Sequence, residues 1–513
     1  LKYSIRFNGS IGMQGDERMT SDPFASVQEF IQERMVEETL PSLAVAVACK
    51  GEILWQEAFG WADRERRVAA TPHTLYSLAS ISKPCTTTGL MVLQEQGKLD
   101  LDRPINDYLG DAKLIARVGN AEDATVRRVA NHTSGLGGHF QFFYADEPYR
   151  RPSMDETIRR YGNLVWAPGE RYNYSNLGYG VLDYLIERLS GRRYADFMRE
   201  EVFLPLGMTR SSVDVGPGLD PYQAIRYGAD GLPYPHYDFD HPGGSAVYAS
   251  AHDMVRFGLF HLKTHLSDQR AILSEGAIDA MQEPTGRIDE GAGYGFGWAI
   301  KEDDYGSRTV SHTGGMGGVS TSLRLFPAES LVITALANAN SNLPHQLQHR
   351  IASALLPEYA ARRAEKEARD REAQEKKQAE SQHAEAVPGF APEPGLIGEW
   401  RGQVHTYQQD LPLTLWFKET GDIHAKLGTQ LKTLVDEVEF KDGCLIGKMM
   451  GDLGTEDTRR MSSYRLELCL TRRDNLLNGP LLAIYHIDGP TGGAPERRMR
   501  NGLSHWAQLE RVP

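Results

Sequence analysis

The stretch Ser80-Ile81-Ser82-Lys83-Pro84, running on through Thr88-Gly89-Leu90-Met91-Val92-Leu93, sets a hydroxyl nucleophile and an amine one helical turn apart. Proline is accommodated in a helix only within the first turn, where its missing N–H would be unpaired in any case. The apolar pattern beyond Pro84 continues the helix, so Ser80 is expected at or near a helix N-terminus. There its Oγ sits beside unpaired backbone N–H groups and the positive end of the helix dipole, with Lys83 on the same face. Burial lowers a lysine pKa toward the working range, and a neutral amine can take the serine proton. An S-x-x-K tetrad arises by chance about once in a chain of this length, and its plain reading is a helix cap followed by a surface lysine. Its surroundings have to carry the assignment.

Outward from this helix, residues 23–38 have helical periodicity, with Phe24, Val27, Phe30, Ile31 and Met35 on one face. Residues 43–65 read as two strands joined at Lys50-Gly51, and 321–326 and 330–335 as two more, broken at Pro327. A helix is expected over roughly 343–356. The intervening chain is mostly helical and loop. This pattern implies an α+β domain over residues 20–357, its antiparallel sheet assembled from both ends of the segment with a helical region beside it. Residues 358–388 are rich in Glu, Lys, Arg, Gln and Ala without an apolar heptad stripe, and read as a solvated helical linker. Residues 389–513 turn to short alternating segments. Leu413, Leu415 and Phe417 share one face, Gly421-Asp422 turns, and Ile423, Ala425 and Leu427 follow, with further turns expected at Gly443, Asn478-Gly479 and Gly489. This is an all-β domain, read as a small closed, lipocalin-like barrel.

Two further elements complete the pattern. Tyr174-Ser175-Asn176 follows Pro168-Gly169-Glu170, and His312-Thr313-Gly314-Gly315 precedes the strand from Thr321. Taken singly, such residues are packing and turn residues. Together, in this order, S-x-x-K, Y-x-N and K/H-T-G resemble the motifs of the serine β-lactamase and penicillin-binding superfamily, which meet at one cleft. Asn131-His132-Thr133-Ser134-Gly135-Leu136, the run SAHDMVRF from Ser250 to Phe257 and GYGFGW from Gly293 to Trp298 are similar to that family as well. The resemblance covers roughly residues 20–357 and implies a class C β-lactamase-like fold. By it, Ser80 is the acylated nucleophile, and Lys83 and Tyr174 share the general acid–base work. Asn176 hydrogen-bonds Lys83 and a substrate carbonyl, and the backbone N–H groups of Ser80 and Gly315 form the oxyanion hole. Developing negative charge needs such preorganised donors.

His312 stands where penicillin-recognising members usually carry lysine. A mostly neutral imidazole suits a substrate carboxylate less well. D-aminopeptidases, related peptidases and family VIII esterases commonly show H-x-G here, so a peptidase or amidase on small or linear peptides, including D or non-ribosomal residues, is the leading expectation. A family VIII-type carboxylesterase is the alternative, followed by a β-lactamase or DD-peptidase, an acyltransferase and a non-catalytic scaffold. Asn176, His312 and Thr313 are candidate substrate contacts, and Asn176 and His312 also stand with Ser80, Lys83 and Tyr174 among the candidate catalytic residues. The aromatic loop 139–149, with Phe142, Phe143 and Tyr144, is a candidate pocket wall, with ordinary loop packing as the competing account.

The 513 residues carry 56 Lys and Arg against 69 Asp and Glu, a net charge of −13 that repels nucleic-acid phosphates and anionic membranes. A small-molecule or peptide substrate fits better, with homo-oligomerisation left open. Apolar runs fall far short of the roughly 20 residues of a membrane span. The four cysteines show neither metal-ligand spacing nor disulfide-scaffold density, and the first residues lack an apolar leader core, so a reducing, cytoplasmic setting is expected. The histidines show no H-E-x-x-H spacing, and neither metal nor other cofactor is implied.

Overall fold

Leu43-Ala44-Val45-Ala46-Val47-Ala48 puts branched side chains on one face of a strand and methyl groups on the other, and both faces are buried in the computed structural model. The structure describes residues 3–4, 22–380, 390–441, 443–459, 463–486 and 501–513. Strand Ser42–Cys49 lies between Glu52–Asp63 and Leu331–Ala337, and Val319–Phe326, Arg308–Met316, Ala299–Glu302, Ala292–Tyr294 and Gly286–Asp289 follow in one antiparallel sheet. The sheet is thus assembled from both ends of its segment, with Val45 opposite Ala335 and Val47 opposite Ile333. Leu43, Val45 and Val47 share a core with Val27 and Ile31 of helix Ala25–Glu37 and with Leu347 and Ile351 of helix Leu343–Leu355. Helix Ala251–His261 packs on the same two central strands. The alternation of large and small side chains lets the sheet take helices at close-packed density on both faces.

The chain forms two compact units. One comprises Leu1–Asp100, Leu182–Pro235 and Pro242–His383, and contains this sheet; the other comprises Leu101–Val181, His236–His241 and Ala384–Pro513. In the first unit, the segment read as a linker is helical over Pro357–Glu380, and residues 381–388 lie outside the described residues. Its first turn is docked: the buried Tyr359 hydroxyl donates to Asp303 at 2.9 Å and lies 2.7 Å from Nδ1 of His349.

The second unit contains a nine-stranded antiparallel sheet among the described residues. Its strands run as a next-neighbour meander in which the first, Gly398–His405, pairs with the last, Asn501–Arg511. The sheet therefore nearly closes into a barrel, with Thr433–Leu434 and Asp436–Lys441 as its two edges. Leu413, Leu415, Phe417, Ile423, Ala425 and Leu427 are all buried, as their alternation requires. The turns at Gly421-Asp422 and Gly443 fall where expected, and Gly489 lies outside the described residues. Asn478-Gly479 is not a turn: it lies inside strand Leu476–His486, and the chain reverses at Asp474-Asn475, with Asp474 at φ 55°. Gly479 serves close approach, since a Cβ there would sit 2.1 Å from the Cys469 carbonyl oxygen. The barrel's outer face packs within its own unit. Phe140 and Gly502 exchange backbone hydrogen bonds, Trp506 joins Val165 and Trp166, and Asp457 accepts from Arg160 and Tyr161.

Candidate active site

Ser80 lies in a single 3₁₀ turn, Ala79–Ile81, that runs straight into the α-helix Ser82–Glu95. Pro84 occupies the helix's first turn, as its lost N–H demands. Ala79 has φ 48°, a left-handed conformation that costs a non-glycine residue energy and is held here by its surroundings. Ser82 Oγ donates to the Ala79 carbonyl at 2.7 Å and accepts from the Val247 N–H at 2.9 Å. Thr321 Oγ1 donates to the Leu78 carbonyl at 2.9 Å. Strand Arg308–Met316 passes against the same turn: a Cβ on Gly314 would lie 2.1 Å from the Leu78 carbonyl oxygen. At Gly315 an added Cβ would meet no atom within 4 Å. Ser80 and Gly315 are thereby carried on two neighbouring elements.

Lys83 is 0% exposed. Its Nζ donates to Ser80 Oγ at 3.2 Å and to the Gly244 carbonyl at 3.0 Å. Burial holds its pKa well below the ordinary lysine value. A neutral amine with a lone pair at hydrogen-bond distance from a hydroxyl can accept that proton. Gly244 belongs to the short helix Pro242–Ser245, steadied by Gly243, whose N–H donates to Asp183 at 2.6 Å and whose carbonyl accepts from Thr86 at 2.6 Å.

His312 is buried in the same unit. Its Nδ1 is 2.7 Å from the Thr313 carbonyl oxygen, which can only accept, so Nδ1 carries the proton. Nε2 is then the acceptor for the Tyr294 hydroxyl at 2.8 Å. Burial first, then the charge of Lys83, lowers the His312 pKa to about 3, against the raising effect of the Thr313 carbonyl. His312 is therefore neutral across the physiological range.

In the second unit, Tyr174 lies beside His132, with ring centroids 4.4 Å apart. His132 Nδ1 accepts from the Ser175 N–H at 3.1 Å, and the His132 carbonyl accepts from the Asn173 N–H at 2.8 Å. Ser175 Oγ accepts from Gly178 N–H at 3.2 Å, capping the helix Asn176–Ser190 that Asn176 opens. Phe142, Phe143 and Tyr144 form a short strand paired with Tyr237–Phe239. All three are buried; Phe142 packs edge-on against Tyr237 and Phe239, and Tyr144 meets Tyr237. Three residues with positions in these networks were missed from the sequence. Tyr294 and His132 lay inside quoted motifs, GYGFGW and NHTSGL, but nothing in either spelled a hydrogen-bonding role. Gly244 acts through its carbonyl, which no side chain signals. Among the described residues no cluster of His, Cys, Asp or Glu could hold a metal ion.

The serine-bearing helix start and the antiparallel sheet beside it belong to a class C β-lactamase-like fold. A class C β-lactamase aligns with a TM-score of 0.57 at 20% identity, covering 66% of this chain and 98% of that one. The chain belongs to the β-lactamase family, whose profile matches residues 27–356. It is a hydrolase of the serine β-lactamase and penicillin-binding superfamily. Penicillin-binding protein 4 of Amycolatopsis lactamdurans is 29% identical over 371 residues, 66% of this chain and 93% of that protein. Protein flp of Staphylococcus aureus strain N315 is 23% identical over 338 residues, and the chain spans 66% of its length. The octameric penicillin-binding protein homologue of Pyrococcus abyssi, at 21% identity and TM-score 0.57, covers 94% of this chain, the C-terminal region included. No helix among the described residues is long and apolar enough to cross a membrane.

Proposed function

We propose that the protein hydrolyses amide bonds in small or linear peptides, D or non-ribosomal residues among them, through an acyl-enzyme on Ser80. The observation that carries this reading is Lys83, whose pKa burial holds well below the ordinary lysine value and whose Nζ lies 3.2 Å from the Ser80 hydroxyl. Lys83, with Tyr174, takes the Ser80 proton as Oγ attacks the carbonyl carbon, and the pair returns a proton to the leaving amine. The N–H groups of Ser80 and Gly315 stabilise the oxyanion, and Asn176 holds the substrate amide. His312 and Thr313 line the recognition side. A neutral His312 makes no demand for a substrate carboxylate, which favours peptides and amides over penicillin-like acids.

Two fold relatives support a D-configured substrate. One is described as a β-lactamase/D-alanine carboxypeptidase from Pseudomonas syringae; the other, SurE, was solved with D-Leu and covers 94% of this chain at 22% identity. The octameric homologue supports self-association of this chain as well. A family match ending at residue 356 supports the division into a hydrolase domain, 20–357, a linker, 358–388, and a β-domain, 389–513. The four cysteines are outside any disulfide, which supports a cytoplasmic setting. A panel of p-nitroanilides and p-nitrophenyl esters in L and D series, scored by kcat/KM, tests the substrate class. Ser80-dependent turnover of D-series anilides is expected; turnover of esters alone would replace the peptidase by a carboxylesterase.

A further inference from the structure

The catalytic reading leaves one pair of nucleophilic side chains unused. Cys444 opens strand Cys444–Met450 and Cys469 lies in its neighbour Ser463–Arg473. Cys444 stands opposite Thr471 and Cys469 opposite Ile446, so the two thiols are diagonal neighbours on one face of the ladder. That face packs on Val118, Val165 and Trp166. The Arg171 guanidinium, stacked 4.1 Å over the Trp166 ring, donates to Cys444 Sγ at 3.3 Å, and Thr471 Oγ1 lies 3.4 Å from the same sulfur. We infer that Cys444 and Cys469 form a dithiol that hydrogen peroxide oxidises reversibly to a disulfide, a modification site whose chemistry does not use Ser80.

The electrostatics agree with the geometry. The hydrogen bond from Cys469 is the largest influence on Cys444; together with Thr471 and Arg171 it outweighs burial and brings the pair's first ionisation down to about 6. Cys85 and Cys49, lacking such donors, are pushed the other way by burial. These groups favour the thiolate at Cys444, with Cys469 as its hydrogen-bonding partner. The thiolate sulfur attacks a peroxide oxygen, the O–O bond breaks, and the departing hydroxide takes a proton to leave as water, giving a sulfenic acid. The second thiol then loses its proton and attacks that sulfur; the S–S bond forms as the S–O bond breaks and a second water leaves. Two thiols and one peroxide become one disulfide and two waters. Diagonal neighbours have Cα atoms about 7–8 Å apart, slightly beyond the roughly 4.4–6.8 Å of a relaxed disulfide. Closure therefore pulls the strands together, and the bond is of the labile, reducible kind.

The test uses the full chain at pH 7, exposed to low-millimolar hydrogen peroxide, alkylated with iodoacetamide and digested with trypsin. The peptides DGCLIGK and LELCLTR should lose alkylation well before those bearing Cys49 and Cys85, appear as one cross-linked species, and return on dithiothreitol treatment. In Cys469→Ser, oxidation should stop at a sulfenic acid on Cys444 that dimedone captures. Equal alkylation of all four cysteines after peroxide, or a cross-link joining any other pair, would overturn the assignment.

Discussion

The start of helix Ser82–Glu95 and the outer face of the barrel each bury an ionisable side chain, and they drive it in opposite senses. At Lys83 burial dominates and disfavours the charged form, the direction that the proposed proton acceptor needs. At Cys444 donors from Cys469, Thr471 and Arg171 outweigh burial, so the charged form is favoured and a nucleophile results. Burial alone thus says little about reactivity; the polar atoms enclosed with the group decide its direction. Cys85, more deeply enclosed than Cys444 and without its side-chain donors, is pushed the other way.

The comparison breaks first at Ser80. If only the helix start performs acyl transfer, Ser80→Ala should lower kcat/KM by roughly 10⁴-fold or more and abolish the acyl adduct seen by intact mass spectrometry, whereas Cys444→Ser should leave both within about twofold. An adduct surviving in Ser80→Ala would transfer the nucleophile elsewhere.

Lys83→Met comes next. It removes the base and should cost about 10³-fold or more in kcat/KM, and Lys83→Ala with Tyr174→Phe should cost little more than the worse single change, because groups acting as one unit are non-additive. Stability should move the other way. The folded lysine pKa is depressed, so the unfolded chain binds a proton that the native state refuses; the native state loses stability as pH falls from the unfolded lysine pKa toward the folded one. At pH 7 Met escapes that cost, and Lys83→Met should melt at higher temperature than wild type. Activity of the wild type should fall as pH drops through the depressed Lys83 pKa.

Arg171→Gln probes the other side of the comparison. Removing a cation 3.3 Å from Cys444 Sγ should raise the first thiol ionisation from about 6 toward the ordinary range. The pH midpoint of Cys444 alkylation should move up with it, with several-fold slower reaction at pH 7. An unmoved midpoint would leave the hydrogen bonds from Cys469 and Thr471 as the cause. His312→Lys sharpens the contrast within the first unit, since it puts a cation beside Lys83. The kcat/KM ratio of a carboxylate-bearing to a carboxamide substrate should rise, by about tenfold for one added charge-assisted hydrogen bond; a constant ratio in a folded variant would remove His312 from the recognition surface.

How legible was this in the sequence? The helix start was, because Pro84 after Ser80 and Lys83 admits one position in a helix. The sheet was, because Leu43–Ala48 and the strands flanking Pro327 alternate cleanly. The barrel's inner face was, in Leu413, Leu415 and Phe417. What escaped were features set by long-range approach. Asn478-Gly479 has the composition of a tight turn, yet Gly479 is small because Cys469 passes over it. Cys444 and Cys469 are 25 residues apart in sequence, and only the strand register makes them neighbours. The side chains of Phe142–Tyr144 announced an aromatic cluster, but their partners Tyr237 and Phe239 lie almost a hundred residues on.

The smallest expected effect belongs to Tyr294→Phe, and it tests the account of His312 directly. The Thr313 carbonyl requires the proton on Nδ1, so Nε2 accepts from the Tyr294 hydroxyl. Phenylalanine keeps the ring and removes the donor, leaving a buried acceptor unmet at a cost of about 1–3 kcal/mol, or a few degrees in Tm. That hydroxyl also favours the neutral imidazole, so its loss should let the His312 pKa rise from about 3. The folded pKa lies below the unfolded value of about 6.5, so this histidine's contribution is present above the unfolded pKa and is lost as pH falls toward the folded one. Wild type should therefore lose Tm between pH 7 and pH 4.5, and Tyr294→Phe should lose less over the same interval while starting lower. If the two melting curves run parallel with pH, the hydroxyl does not set the His312 proton, and burial alone keeps the imidazole neutral.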